Sequence, residues 1–458
     1  MSSRARWLVF FAYVFAGRRN NVQSRDVHTH ACEQTEVLIN CTGHTLTSVP
    51  VNLPAGVKYM DVSHNQIDDV TFELIGLPQL EILDLSFNRI THISNDTFQD
   101  KKHLLKIDLS HNLLTFRDVL ESGVTQLTSV TVLLIAHNQL GSNILSSTFW
   151  SMTALRILDL SFNNISHITE TSLNGDDGIS DVTELYLQGN RLDRIPTAFL
   201  AHLRSLQLLD LSNNAFRAVE QSDFPSLTPH LGTLLLNSNS MLQTVGADAF
   251  AGLPGLKNIQ ISGCRRLSSI GSGALSATNN RTHIYLESNA LTTLSEGILP
   301  WQRMANNSLH IYNNPITCDC RVAWLAKAGV LRVLARPELI LCQQPIKLQG
   351  QRLIDSQLSQ LACQQQNHSS TNDRTKPRQT HVESGANFVG VFGIVAPVGI
   401  GLMMCCLVLT VHCKKNRPRP SYELWILKSM SYGSLREQQS LPSESASVKT
   451  VPSTVDTD

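Results

Sequence analysis

Between residues 57 and 316 apolar and polar positions follow one phrase that keeps returning. From Leu80 it runs Leu80-Glu81-Ile82-Leu83-Asp84-Leu85-Ser86-Phe87-Asn88-Arg89-Ile90, the pattern L-x-x-L-x-L-x-x-N-x-L. Its asparagine recurs at Asn65, Asn88, Asn112, Asn138, Asn163, Asn190, Asn214, Asn239, Asn289 and Asn314, and Cys264 stands in that place once. The steps are 23 to 27 residues long, which makes eleven copies. Leu83 and Leu85 alternate as in a strand, so they point to one side while Ile82, Asp84 and Ser86 point to the other. One unit cannot bury its apolar side alone, and stacked neighbours build a continuous core beneath a parallel sheet. The asparagine amide is expected to turn inward and satisfy backbone groups of adjacent turns. A second apolar mark follows, at Phe98, Phe149, Leu173, Phe199, Phe224, Phe250, Leu275 and Leu299. It predicts a spine on the outer side.

Such a phrase is that of leucine-rich repeats. The fold expected is an α/β solenoid, a curved horseshoe with a parallel β-sheet on its concave face. A solenoid also needs lids over its exposed ends. Cys32 and Cys41 lie in a segment, 31–56, that can serve as the first. It resembles the amino-terminal cap of extracellular leucine-rich repeat proteins, with two cysteines where that cap often has four. At 314–363 stand Asn314-Pro315-x-x-Cys318-Asp319-Cys320-x-x-x-Trp324-Leu325, then Cys342 and Cys363. This resembles the carboxy-terminal cap of Slit, the variable lymphocyte receptors, platelet glycoprotein Ib and Toll-family ectodomains. Four cysteines alone allow three pairings, and C-x-C with two distant cysteines is also a pattern for zinc. The resemblance implies Cys318–Cys342 and Cys320–Cys363. A secreted setting favours disulfides. Cys264 then needs no partner, as a small apolar substitute for a buried asparagine.

The flanks supply that setting. Residues 1–17 place Arg4 and Arg6 before an apolar run that ends at Ala16-Gly17, the layout of a secretory signal peptide. Residues 364–385 are polar and aperiodic, as in a stalk. Residues 386–412 open with 26 uncharged positions, enough for one transmembrane helix. Lys414, Lys415, Arg417 and Arg419 follow at once, as the positive-inside rule expects. Asn40, Asn95, Asn164, Asn280, Asn306 and Asn367 each begin N-x-[ST], all of them ahead of the span. Asn306 falls at the first apolar position of the eleventh repeat, a place that normally faces the core. The expected topology is type I at the plasma membrane, with the amino end outside. The tail, 413–458, is rich in Ser, Pro and Glu and reads as disordered. It is too short for a kinase or Toll-type domain. Within it Tyr432 and Leu435 frame a resemblance to a tyrosine sorting signal read by a cytoplasmic adaptor.

Charge and chemistry narrow the function. Lys+Arg and Asp+Glu balance at 37 each, so no global charge argues for nucleic acid. No phosphate-cradling glycine loop, G-x-S-x-G or H-E-x-x-H phrase occurs, so neither an enzyme nor a cofactor is expected. Asp61, Asp84, Asp108, Asp159 and Asp210 share one outward strand place and read as a soluble surface. His64, His111 and His137 share the slot before the asparagine, and His111 with His137, in neighbouring repeats, makes a conceivable metal or pH-sensing pair, while Phe87 and Phe162 fill the same slot elsewhere. From the sixth repeat the outward row diversifies. Tyr186, Gln188, Leu235, Asn237, His283, Tyr285, Glu287, His310 and Tyr312 form a candidate ligand-binding patch on the concave face. Tyrosines there combine apolar area with a hydroxyl, as protein interfaces do. No asparagine of an N-x-[ST] site falls in these rows, so glycans should leave the sheet open. The expected function is cell-surface recognition or adhesion, with a protein ligand on the concave face, as in the adhesion-type members of the family. The alternative is an innate immune or signalling co-receptor for a microbial or soluble ligand.

Overall fold

The computed structural model describes residues 32–355, apart from 72, 170–177 and 225–229. The apolar phrase becomes one sheet of thirteen strands in chain order. A hairpin, β1 (Glu33–Gln34) and β2 (Leu38–Asn40), starts it. The disulfide Cys32–Cys41 closes this first lid. Eleven parallel strands follow, one for each copy of the phrase. They are β3 (Tyr59–Asp61), β4 (Ile82–Asp84), β5 (Lys106–Asp108), β6 (Val132–Leu134), β7 (Ile157–Asp159) and β8 (Glu184–Tyr186). Then come β9 (Leu208–Asp210), β10 (Thr233–Leu235), β11 (Asn258–Gln260), β12 (His283–Tyr285) and β13 (Leu309–His310). The register aligns their middle residues, Met60 with Leu83, Ile107, Leu133 and so on to Leu309. These pack into a single core cluster that extends from Ile39 to Leu353.

The asparagine ladder does what its position demands. Asn88 Nδ2 donates to Val62 O and Leu85 O, each at 3.0 Å, while its Oδ1 accepts from Ile67 N at 3.1 Å. One side chain thereby ties two neighbouring turns together. Cys264 keeps part of this, with Sγ 3.3 Å from Leu236 O, and burial pushes its thiol up to about 11. It is free and buried.

The other side of each repeat is less regular than an α/β label suggests. It carries short parallel pairs, such as Asp69–Val70 with His92–Ile93 and Asn143–Leu145 with His167–Thr169. Between them lie single turns and two short helices, α1 (Phe116–Glu121) and α2 (Thr197–Ala201). Phe98, Phe149, Phe199, Phe224, Phe250, Leu275 and Leu299 are buried as expected of a spine. Among the described residues only Phe224 and Phe250 bring spine rings together, with centroids 5.7 Å apart.

The second lid follows the Asn-Pro entry. Cys318 is bonded to Cys342, and Ile316–Thr317 pairs with Cys342–Gln344. Trp324 is buried and donates from Nε1 to Leu294 O at 2.9 Å, pinning the cap to the last repeats. Cys320 is disulfide-bonded, and its expected partner Cys363 lies outside the described residues. The signal peptide, stalk, transmembrane segment, tail, Leu173, Asn367, Tyr432 and Leu435 lie outside them as well. Among the described residues no helix is long and apolar enough to cross a membrane.

Candidate functional site

Side chains at the first and third places of each strand point away from the core and line the open face, the side expected to be concave. At the amino end of that face the aspartates are not a soluble surface. Asp61 and Asp159 are buried, at 2% and 0% exposure, and Asp210 is buried too. In-register strands lie about 4.8 Å apart, so neighbours in the row cover these carboxylates, while Asp84 and Asp108 stay half-buried. The aspartates also hold the chain: Asp84 Oδ1 accepts from Ser86 N at 2.9 Å and from Ser86 Oγ at 2.6 Å. Burial, with Asp108 and Asp61 on either side, pushes the Asp84 carboxyl up to about 8. Burial raises Asp108 as well.

The slot before each ladder asparagine holds a further feature. Its residues take the left-handed backbone, φ 57° at His64, 54° at Phe87 and 57° at His111. That turn sends the side chains out in one line. His64, Phe87, His111, His137 and Phe162 stack face to face, with successive centroids 4.2, 3.9, 4.1 and 4.2 Å apart and planes within 13°. His111 and His137 are direct neighbours, and the phenylalanines extend them into a column of five rings. Gly189 follows, and any side chain there would strike Phe162. Burial, then His137 and His64, lowers His111 to about 4, so His111 is neutral at pH 7. Among the described residues no group of three or more His, Cys, Asp or Glu can hold a metal ion. The sharing of one slot was legible in the sequence; the stacking was obscured because Phe and His look like unrelated substitutions.

In the carboxyl half the structure brings most of the candidate patch together. Tyr285 stacks on His310 at 4.3 Å, and His310 meets Tyr312 edge-on at 6.3 Å. Glu287 lies two residues beyond Tyr285 on the same face, and its charge, after burial, helps raise both the Tyr285 and Tyr312 hydroxyls. Burial raises Glu287 itself. Burial, then His283 and Arg336, lowers His310 to about 4. Leu235 is half-buried and His283 exposed. Asn237 is fixed, its Nδ2 donating to Gln260 Oε1 at 3.0 Å and its Oδ1 accepting from Ser262 N at 2.9 Å. Gln260 and Ser262 thus join the patch.

Tyr186 departs from expectation. It is 1% exposed, with its hydroxyl donating to Glu184 Oε2 at 2.7 Å, because Asp159 and Asp210 flank it in register. It supports the surface rather than presenting itself. Gln188 is buried at 8% exposure, and its Oε1 has no hydrogen-bond partner.

The glycosylation candidates are placed as follows. Asn95, Asn164, Asn280 and Asn306 are exposed. Asn306 does not face the core, because Met304, at 2% exposure, fills that place. Asn40 pairs with Asp61 across β2 and β3, so this one candidate belongs to the sheet itself, at its amino edge.

Comparison with known proteins agrees with this architecture. The family model described as Leucine rich repeat matches residues 78–140, 180–228 and 229–291, and a second Leucine Rich Repeat model matches 154–175. The chain is 28% identical to Tsukushi of Gallus gallus over 268 residues, 57% of this chain and 70% of that protein. It is 30% identical to human (Homo sapiens) Lumican over 195 residues, 38% of this chain and 55% of that protein. It is 30% identical to Podocan of Mus musculus over 248 residues, 52% of this chain and 34% of that protein. The match thus spans about half the length of Lumican and a third of Podocan. A chain in the solved octameric complex of Latrophilin 3, Unc5D and FLRT2 aligns with a TM-score of 0.49 at 19% identity, over 70% of this chain and 96% of that one.

Proposed function

We propose that this leucine-rich repeat protein is an extracellular recognition protein that binds a protein partner through the carboxyl half of its open sheet face. The observation that carries the reading is the contiguous cluster of Tyr285, His310 and Tyr312 around Glu287. Half-buried rings already fixed by their neighbours lose little freedom on docking, and tyrosines are frequent among the few residues that dominate interfaces. The exposed glycosylation candidates Asn95, Asn164, Asn280 and Asn306 lie off the outward strand rows, and Asn40 lies at the opposite edge of the sheet. The matched family is a repeat that builds surface, so the chain is read as a binding protein and not as an enzyme.

In this reading the chain enters the secretory pathway through residues 1–17 and is held at the plasma membrane by one span at 386–412, with the repeats outside. Staining of intact cells with an antibody to the repeats, lost on removal of the span, tests the placement. Binding is tested by screening the cell-displayed chain against a library of soluble ectodomains. Tyr285→Ala should weaken a partner so found by on the order of 2 kcal/mol, about thirtyfold, with little change in melting temperature. Partners indifferent to Tyr285 but sensitive to the row from Asp61 to Asp108 would move the site to the other end of the sheet.

A further inference from the structure

The left-handed slot before each ladder residue changes character halfway along the stack. In the first five repeats it carries the column of rings. In the next six it carries Gly189, Asn213, Ser238, Gly263, Ser288 and Asn313, with φ between 54° and 72°. Where the rings stop, the rim is hollow. A cavity of about 670 Å³ opens over the eighth to eleventh repeats, a volume usual for small-molecule sites. Ser238, Gly263, Ser288 and Asn313 line it, with Ser240 and Arg265 each two places beyond a slot. Among the described residues none that lines it is acidic, aliphatic or aromatic. Ser238, Ser240, Arg265 and Asn313 are exposed and so open to a ligand. Asn313 Nδ2 donates to Ser288 Oγ at 2.9 Å, which leaves that hydroxyl its own hydrogen to donate. The backbone offers less. The N–H groups of Ser238, Gly263 and Ser288 already donate to Ser262 O, Glu287 O and Tyr312 O, at 2.8, 3.2 and 3.2 Å. A peptide strand therefore finds no free donors along these slots to extend the sheet. Recognition is left to side chains, and Arg265 is the only charge among them, with no ion pair among the described residues.

We propose that this cavity binds an acidic saccharide, a sugar that carries a carboxylate or a sulfate. Serine hydroxyls and an asparagine amide both donate and accept, as sugar hydroxyls do, so Ser238, Ser288 and Asn313 take the ring. The guanidinium of Arg265 takes the anion, donating to two of its oxygens in a fork. The cavity lies on the rim, outside the strand rows, and does not depend on a protein partner bound at Tyr285.

The test immobilises the full-length chain and presents polyacrylamide bearing N-acetylglucosamine 6-sulfate, N-acetylneuraminic acid or neutral N-acetylglucosamine, with poly-glutamate as an acidic peptide. At least one acidic sugar polymer should bind tenfold or more above both the neutral polymer and poly-glutamate, and which one binds assigns sulfate or carboxylate. Arg265→Gln should weaken it at least tenfold. Arg266→Gln, at an exposed neighbour whose Nη1 lies 3.4 Å from Met241 Sδ, should weaken it less than twofold. Ser288→Phe continues the ring column into the cavity, with a side chain the same turn carries at Phe87 and Phe162, and should abolish binding at an unchanged melting temperature. If that variant melts early, the two arginine changes decide alone. Failure of both acidic sugars to bind the wild type overturns the proposal. So do equal losses at Arg265 and Arg266, which mean general charge attraction, and equal binding of poly-glutamate, which means an acidic peptide. Sugar binding that survives Ser288→Phe in a stable chain overturns it too. Tyr285→Ala should leave the sugar bound, so the open-face reading and this one fail separately.

Discussion

Asp84 retains a proton at a pH where an exposed aspartate has long lost it, because burial disfavours its charge and the like carboxylates of Asp108 and Asp61 flank it. Its pKa of about 8 in the fold stands against 3.8 as the ordinary value, so the folded chain binds a proton that the unfolded chain has released. The resulting stability is complete below pH 3.8 and is lost as pH rises through 8. Asp84→Asn keeps an oxygen for Ser86 and removes the titration. It should therefore stabilise the protein at pH 8 by at least ~2 kcal/mol, one pKa unit being ~1.4 kcal/mol, with little effect near pH 4. Thermal melts across that range check it. His111 works in the opposite direction. Its folded value near 4 lies below 6.5, so its contribution is complete above 6.5 and falls away toward 4. In the same melts His111→Phe should flatten the acid limb, since phenylalanine already stacks in that slot at Phe87 and Phe162.

The repeating element is a strand, a left-handed turn and a ladder residue, and its stability is shared with its neighbours. Asn163 accepts from Asn138 N at 3.1 Å and donates to Ile135 O at 2.8 Å and Leu160 O at 3.1 Å. Asn163→Ala strands these backbone groups, at a cost of about 1–3 kcal/mol for each one left buried. Asn163→Cys should cost less than the alanine change in urea melts, as Cys264 still reaches a carbonyl from the same place. The strand alternation and the asparagine were legible in the sequence because each is written within about twenty-five residues; the Cys318–Cys342 pairing was implied by the resemblance of the cap, since four cysteines alone allow three pairings. What was not legible depends on neighbours one repeat away. The strand phase alone leaves Tyr186 exposed, but Asp159 and Asp210 cover it. The repeat phase points Asn306 toward the core, but Met304 fills that position. The ring column also required knowing that five slots share one backbone conformation.

At the scale of the molecule, the proposed partner requires a sheet face that glycosylation leaves clear. Glycopeptide mapping should find chains at the exposed Asn95, Asn164, Asn280 and Asn306. Occupancy should be lower at Asn40, which is half-buried and accepts from Thr42 N and Thr42 Oγ. Bare asparagines at all five would overturn the extracellular placement. Cys264 carries a different consequence. A thiol sealed in the ninth repeat can be alkylated only when that repeat opens, so its labelling rate is a clock for local unfolding. Mass spectrometry of the Cys264 peptide during iodoacetamide exposure reads that clock. If the repeats open together, the rate should rise by the same factor when Asn163, four repeats away, is changed to alanine. If they open independently, Cys264 should keep its own time.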